Sequence, residues 1–567
     1  MTLAADMSAA GVAAGRALAL AVVPGAGLVL AWTGGQLRLP TVDPATVVGE
    51  LAALDPRWTW WSAWETAAPL VAAGVRPRTC WDIGAAGRLL HGLRRNDPAA
   101  VWAAEHGLAE PSAPAGGLDL FDRQAEGDGP VRGDGQLSRL WLDGAWADDL
   151  DAALRWAGLA LQAQRSQEAA LRALPDPRPD PRAPTLALLT AWAESAAALL
   201  AVELSHDGLP LDREAASGLL RAAIGEPPAD AAGEAAVRSA RDAAVLRHFP
   251  GQQADLRNPA QVRDLLARIG FDLPDTRSWR LQPHAGTNDA VAALLAWRKA
   301  ERITTTYGWR WLARHVGEDG RLRGAWNASD GGAGRMTAGA ALHNLPAEFR
   351  PAVRAEEGHL FVRADLGQVE PRVLAAVSGD QGLARAARED DMYAPVAAAL
   401  GCDRPTAKVA VLAAMYGQTS GPAGAALRDM DRAYPRAMAY LRAAEEAGRT
   451  GRDLRTYGGR LIRLTHPDPG AAPGYGRYAR NAVIQGAAAE LFKAWAATVR
   501  DGLAAVGGQI VLCLHDELLL HVPADRVPAA ETAVRTALAG TTRWWAAGSP
   551  VRFVVDVATG ASWADAH

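Results

Sequence analysis

The chain has 567 residues, a length that suggests three or four domains at roughly 150 residues each. Hydrophobic residues make up 49%, enough for sizeable cores, and 57 Gly with 35 Pro promise many turns without the bias of a disordered chain. A formal charge of −4, from 59 basic and 63 acidic residues, excludes a globally basic nucleic-acid binder, so any basic surface must be local.

Only three of the basic residues are lysine (Lys299, Lys408 and Lys493) and the rest are arginine. The imbalance reads as GC-rich coding, and it singles out each position that keeps a lysine. Cys80, Cys402 and Cys513 are odd in number, far apart and without a CxxC pair, which argues against a disulfide framework or a structural zinc site and for a reducing compartment. The apolar run Ala17–Trp32 is broken by Pro24, Gly25 and Gly27 and has no basic leader, so no signal peptide is expected. No later apolar stretch is expected to reach the ~18 residues that span a bilayer. The expectation is a soluble, cytoplasmic protein with no membrane partner.

In chain order, Ala17–Val23 and Gly27–Trp32 read as strands joined by a Pro-Gly turn, and helical patterns follow near Pro44–Leu54, Ala67–Ala73 and Ile83–Leu93. The segment Glu105–Gly135 reads as a connector. The run Pro175–Pro184 contains five prolines, cannot continue a helix, and marks the main boundary. Beyond it, Leu186–Leu204 is a long Ala/Leu helix, with further helices up to Tyr307. Strands are expected at Leu322–Trp326, His359–Asp365, Ile510–Leu514 and Leu518–Val522, with a mainly helical block over about residues 380–500 between the second and third.

Two of these strands end on chemistry. His359–Asp365 is a buried-type strand terminating in a carboxylate, and the last two strands meet at His515-Asp516-Glu517. If the strands are neighbours, Asp365 and Asp516 can share two Mg²⁺ ions about 3.5–4 Å apart, an arrangement that activates one oxygen and stabilises another in phosphoryl transfer. Either segment alone reads equally well as a helix cap or an ordinary polar turn.

The stretch Asp403–Gly417 has Pro405 in its first turn and Gly417 as a stop, and reads as one helix. Arg404, Lys408, Leu412 and Tyr416 are spaced by four and form one stripe. Arginine at a helix N-terminus with lysine one turn on suits a triphosphate, and an ammonium can yield a proton that a guanidinium retains. A lysine on a packed helix surface is the plain alternative.

Together these residues resemble the polymerase domain of family A DNA polymerases, the bacterial DNA polymerase I type. Asp365-Leu-Gly-Gln-Val-Glu-Pro-Arg372 resembles motif A. Arg404, Lys408, Tyr416 and Gly417 resemble motif B, and His515-Asp516-Glu517 resembles motif C. Gly334-Arg335, Asn344-Leu-Pro346, the series Arg477, Asn481, Gln485-Gly486 and the tail Trp563–His567 extend the likeness over roughly residues 185–567.

The resemblance implies an α/β multidomain right hand preceded by an α/β ribonuclease H-like, exonuclease-type domain. Its implied boundaries are 1–175 for the exonuclease-like domain, 176–184 for a linker, 185–307 for the thumb, 308–385 and 487–567 for the palm, and 386–486 for the fingers. It implies Asp365 and Asp516 as ligands of two Mg²⁺ ions (Mn²⁺ as substitute), with Glu517 supporting the site. Arg404, Lys408, Gln368 and Tyr416 would bind the incoming deoxynucleoside triphosphate, Lys408 doubling as general acid, and Glu370 would exclude a 2′-hydroxyl. Arg335, Arg477, Asn481, Gln485 and His515 would contact primer-template DNA. A monomer acting in repair or replication at the nucleoid is implied; a phage-type RNA polymerase and a non-catalytic DNA-binding scaffold are the rivals.

The sequence departs from the family pattern in places. Leu366 and Gly367 stand where Tyr-Ser is usual, Pro371 replaces an aliphatic residue, Leu412 replaces an aromatic, and Tyr393 stands for a phosphate-contacting histidine. No Asp-x-Glu occurs in residues 1–175, and the late Tyr-x3-Asp nuclease motif is matched at best by Trp156 and Ala160. A proofreading remnant without activity is therefore expected, with residual nuclease as the alternative.

Overall fold

The computed structural model describes residues 2–112, 126, 128–417, 422–465, 470 and 472–566, with backbone alone for 422–426. Parts of the Glu105–Gly135 connector, short pieces of the expected fingers and the terminal His567 lie outside these residues. The N-terminal sheet contains β1 (Ala17–Val23), β2 (Gly27–Trp32), β3 (Gly35–Pro40), β4 (Arg57–Trp60) and β5 (Thr79–Asp82), in the order β3-β2-β1-β4-β5. The first three form an antiparallel meander, and β4 and β5 run parallel to β1.

Alternation along β1 explains how this sheet is covered. Ala19, Ala21 and Val23 pack with Ala153, Leu154 and Ala157 of helix α1 (Leu150–Ala173). Leu18 and Leu20 face the other way and join Ala198, Leu199 and Val202 of helix α2 (Leu186–Asp207). The second cover of the sheet thus comes from beyond the proline-rich run. That run is not a free tether: the Arg178 side chain is fully buried, paired with Asp176, and donates to the carbonyls of Trp544, Arg182 and Pro184.

Helix α2 corrects one expectation. With 22 residues and a mean hydropathy of 1.5 it is long and apolar enough to cross a membrane, by length and composition. Most of its surface is buried within the molecule. Its polar faces explain the placement. Glu194 accepts two bonds from Lys493 (2.9 and 2.8 Å) and pairs with Arg460 at 2.7 Å, while Glu203 pairs with Arg500 at 2.5 Å. Against the cost of burial, Arg460 and Lys493 hold the Glu194 carboxyl below its ordinary range.

Lys493 and Arg500 belong to a 33-residue helix, Ala472–Ala504. This helix and Val527–Trp545 back a second sheet: β6 (His359–Leu366), β7 (Gln509–Leu514), β8 (Glu517–Pro523) and β9 (Val555–Gly560), ordered β7-β8-β6-β9 with every pair antiparallel. The strand expected at Leu322–Trp326 is instead two. Arg321–Leu322 pairs with Leu209–Pro210, and Trp326–Asp330 pairs with Arg335–Ala338, because Gly324 breaks the run where it packs against Gly339. All three cysteines are free, Cys80 and Cys513 being buried.

The buried pair yields a test. Lys493→Met leaves Glu194 buried with Arg460 alone and is expected to cost roughly 3 kcal/mol. Lys299→Met removes an exposed pair with Glu348 and should change stability by under about 0.5 kcal/mol. Urea unfolding near neutral pH measures both, and equal midpoints would contradict the assignment.

Candidate active site

Strand β6 places Asp365 opposite Glu517 on β8 and Asp556 on β9. The β7–β8 turn needs His515 at φ 50, in the left-handed region, and this brings Asp516 round until its carbonyl accepts from Leu366 N at 3.0 Å. Asp365 and Asp516, 151 positions apart along the chain, therefore meet at one end of the sheet. Burial, and after it the neighbouring Asp365 carboxylate, pushes the Asp516 carboxyl up to about 7, with Glu370 and Glu517 adding to the repulsion.

Arg363 sits two residues before Asp365, on the same face of the strand. It donates to Asp365 Oδ2 and to Glu517 Oε2, both at 2.7 Å. Trp563 Nε1 donates to Glu517 Oε1 at 2.9 Å, so Glu517 is held from both sides as a brace. Among the described residues no group of three or more His, Cys, Asp or Glu is placed to hold a metal ion. The donor set still fits Mg²⁺: two mutually repelling carboxylates at an open sheet end match an ion that takes few protein ligands and leaves positions for phosphates and water.

The fingers-type helix spans Arg404–Tyr416, capped by Asp403 accepting from Thr406 N at 2.8 Å and closed by Gly417 at φ 67. Arg404, Lys408 and Tyr416 are exposed along it, and Leu412 is half-buried. Arg404 is engaged by Asp391 through two bonds of 2.5 and 3.2 Å, and its guanidinium lies 5.7 Å from the ring of the buried Tyr393. Gln368 donates to Asp391 Oδ1 at 2.9 Å and accepts from Met392 N at 2.9 Å. Gln368 therefore helps order Asp391, the partner of Arg404. At the other end of the helix, Tyr416 Oη donates to Glu370 Oε2 at 3.2 Å, and burial raises the Glu370 carboxyl. Both ends of the helix are thus tied to Gln368–Glu370, just past Asp365.

The expected DNA-contacting residues divide. Arg335 stands close enough to act electrostatically on Glu370, Tyr416 and His515, so the Trp326–Ala338 hairpin reaches the site. His515 packs edge-on against His343 at 5.5 Å, and burial with Arg335 lowers its pKa. Arg477 is exposed beside Gly417, while Asn481 and Gln485 are half-buried further along the long helix. Asn481 Oδ1 is buried with no hydrogen-bond partner among the described residues. Sequence reasoning missed Arg363, Asp391 and the role of Trp563. Of these, Arg363 was legible, since strand periodicity alone puts it beside Asp365.

The fold and this site define a class. The model of DNA polymerase family A matches residues 251–565, more than half of the chain, and the chain belongs to that family. It is 30% identical over 352 residues to the thermostable DNA polymerase I of Thermus filiformis, covering 54% of this chain and 41% of that protein. To DNA polymerase I of Pseudomonas aeruginosa it is 27% identical over 363 residues, covering 56% of this chain and 39% of the relative. The chain spans about two fifths of the length of these curated relatives. The POL domain of Pol1 from M. smegmatis, solved with DNA primer-template and dNTP, has a similar fold: TM-score 0.67, 20% identity, covering 100% of this chain and 98% of that one. That fold is the palm, fingers and thumb arrangement of the family.

The raised Asp516 carboxyl makes a pH prediction for the metal-free protein. A folded-state pKa above the unfolded value means the native state binds the proton more tightly. Stability is therefore lost as pH rises from the ordinary aspartate range to about 7, then levels. In EDTA, Asp516→Asn should match wild type near pH 4 and melt roughly 2–4 °C higher above pH 7. A difference that does not change with pH would contradict the assignment.

Proposed function

We propose that the chain is a template-directed DNA polymerase that adds deoxynucleoside triphosphates to a primer 3′ end. One observation carries the reading: the helix bearing Arg404 and Lys408 is tied at both ends to the segment that follows Asp365, while Asp365 itself meets Asp516. In this reading Arg404 exchanges Asp391 for the triphosphate, a change of partner between two anions that keeps the guanidinium paired throughout. Lys408, one turn along and exposed, reaches the same triphosphate. What Mg²⁺ supplies when held by Asp365 and Asp516 is charge, to activate the primer hydroxyl and offset the departing phosphates.

The primer 3′ hydroxyl gives its proton to solvent water and its oxygen bonds to the α-phosphorus as the bond from that phosphorus to the bridging α–β oxygen breaks, and Lys408 Nζ gives a proton to the leaving pyrophosphate. Arg363 and Trp563 keep Glu517 in place beside the reacting carboxylates. In this reading Glu370, which accepts from Tyr416, excludes a ribose 2′-hydroxyl. Arg335 and His515 line the primer side. Asp365→Ala and Asp516→Ala are each expected to reduce single-nucleotide primer extension at least about 10³-fold with duplex affinity retained. Lys408→Arg should lower kcat by about 10²-fold with a small effect on KM, since it keeps the charge and withholds the proton. Full extension by either aspartate variant would refute the site.

For the N-terminal unit we propose a ribonuclease H-like fold without proofreading. The strand order β3-β2-β1-β4-β5 supports the fold. Three observations support the lack of nuclease chemistry. β1 runs out at Val23-Pro24-Gly25 with no carboxylate. Trp156 stacks on Trp61 at 4.9 Å and on Trp146 at 6.4 Å, with Ala160 buried one turn on. The buried Asp82 carboxylate is consumed by Ala63 N at 2.6 Å and Ala85 N at 2.8 Å, as a helix cap. A labelled primer with a 3′ mismatch, incubated with Mg²⁺ and no nucleotide, should keep its length; shortening abolished by mutation within residues 1–175 would overturn this reading.

A further inference from the structure

A second basic feature lies outside the catalytic site, where the N-terminal unit meets the long helix. It is a cleft of about 680 Å³ walled by Arg88 and Arg94 on one side and by Arg460 and Arg463 on the other, with Tyr478 at its edge. Two of the four charges are already matched, Arg460 by Glu194 at 2.7 Å and Arg463 by Asp453 at 3.0 Å. Arg88 directs one N–H to the Gly331 carbonyl at 3.4 Å, and Arg94 is exposed with no ion pair to a described residue. Asp330 and Glu194 act on Arg88 electrostatically, but among the described residues neither Arg88 nor Arg94 has an ion pair, so the cleft keeps positive charge free to meet an anion.

Its walls are fixed in place. The helix Ile83–His91 ends at Gly92 (φ 63), and its last carbonyls, on Leu90 and His91, accept from Arg455 and Arg463, both at 3.0 Å. A Cβ on Gly92 would lie 2.7 Å from the Leu461 carbonyl oxygen, so the two units touch backbone to backbone. A Cβ on Gly332 would collide with the Tyr478 hydroxyl, which leaves the Tyr478 ring, 41% exposed, at the mouth.

The cleft adjoins the site. Gly334 rests directly on the Arg460 guanidinium, and the next residue is Arg335, which faces Glu370 and Tyr416. On the long helix, Tyr478 follows Arg477, the residue beside Gly417. Unneutralised guanidinium groups, an exposed aromatic ring and room left by glycine are the means by which proteins hold single-stranded nucleic acid without reading its sequence.

We propose that the N-terminal unit and the long helix jointly bind the unpaired template strand ahead of the copied position, with Arg88 and Arg94 on its phosphates and Tyr478 stacked on a base. The proposal rests on the polymerase reading, and it gives the N-terminal unit a role independent of nuclease chemistry.

The test compares two primer-templates that share one duplex, one with about ten unpaired template nucleotides and one with a single unpaired nucleotide. By fluorescence anisotropy, Arg94→Ala and Tyr478→Ala should each weaken binding to the long-overhang substrate about five-fold at ~0.1 M salt. Binding to the short-overhang substrate should stay as in wild type. Arg94→Ala should also lower the salt dependence for the long overhang by roughly 0.7 in the log–log slope, and Arg94→Lys should restore most of the affinity. Unchanged affinity for the long overhang, or an equal loss on both substrates, would overturn the proposal. Single-nucleotide extension by wild type on the short overhang separates the two claims. Its absence defeats the polymerase reading, whereas its presence without an overhang effect defeats the cleft alone.

Discussion

Glu194, Lys493 and Arg460 form a charged cluster almost wholly removed from solvent, and the rest of the molecule is arranged around it. A buried carboxylate costs several kcal/mol unless its partners compensate. Here the partners come from two distant stretches, the long helix and the loop after Leu454–Arg455. Satisfying Glu194 therefore fixes helix α2, the long helix and that loop relative to one another. A second pair, Glu203 with Arg500, repeats the link further along the same two helices and sets them parallel. Helix α2 carries the N-terminal sheet on one face, and the long helix backs the catalytic sheet on another. Through Arg460, which lies beneath Gly334, the cluster also seats the hairpin that delivers Arg335 to the site.

At the site the charges are arranged for exchange. Arg363 answers Asp365 and Glu517, and Asp391 answers Arg404, so Arg404, expected to meet phosphate, and Asp365, expected to meet Mg²⁺, are each held by a protein partner. Asp516 differs: its carboxyl, buried beside Asp365, has no comparable cationic partner among the described residues and is pushed up to about 7. In the proposed reading, phosphate and cation together would relieve both imbalances, and nucleotide binding would be coupled to assembly of the metal site.

Much of this was legible in the sequence because it lies in local patterns. β1 and β2 fall at the expected residues, continuous apolar runs mark β6 to β8, and Asp403, Pro405 and Gly417 bound the fingers-type helix as cap and stop signals require. The four-residue spacing of Arg404, Lys408 and Tyr416 identified the exposed stripe. What was not legible depends on tertiary partners. Asp391 has no motif around it, and its importance arises only when folding brings Gln368 and Arg404 to its two oxygens. Gln368, expected at the nucleotide, also bonds Asp391, a link that no spacing along the chain announces. Leu322–Trp326 failed as one strand because Gly324 must approach Gly339. Helix α2 reads as a possible membrane span by composition, and only the buried partners of Glu194 and Glu203 account for its place in the core. Lys493 had the compositional signal, being one of three lysines, and nothing in its neighbours along the chain revealed its partner.

The central claim is that convergence of Asp365, Asp516, Arg404 and Lys408 makes a site whose output is dictated by a template. The most direct measurement supplies the wild-type chain with a labelled primer-template, Mg²⁺ and one deoxynucleoside triphosphate at a time, on templates differing in the first unpaired base. The account predicts extension by a single nucleotide only when the triphosphate complements that base, with the preference switching as the template base is changed. No extension with any triphosphate, or addition indifferent to the template base, would contradict it.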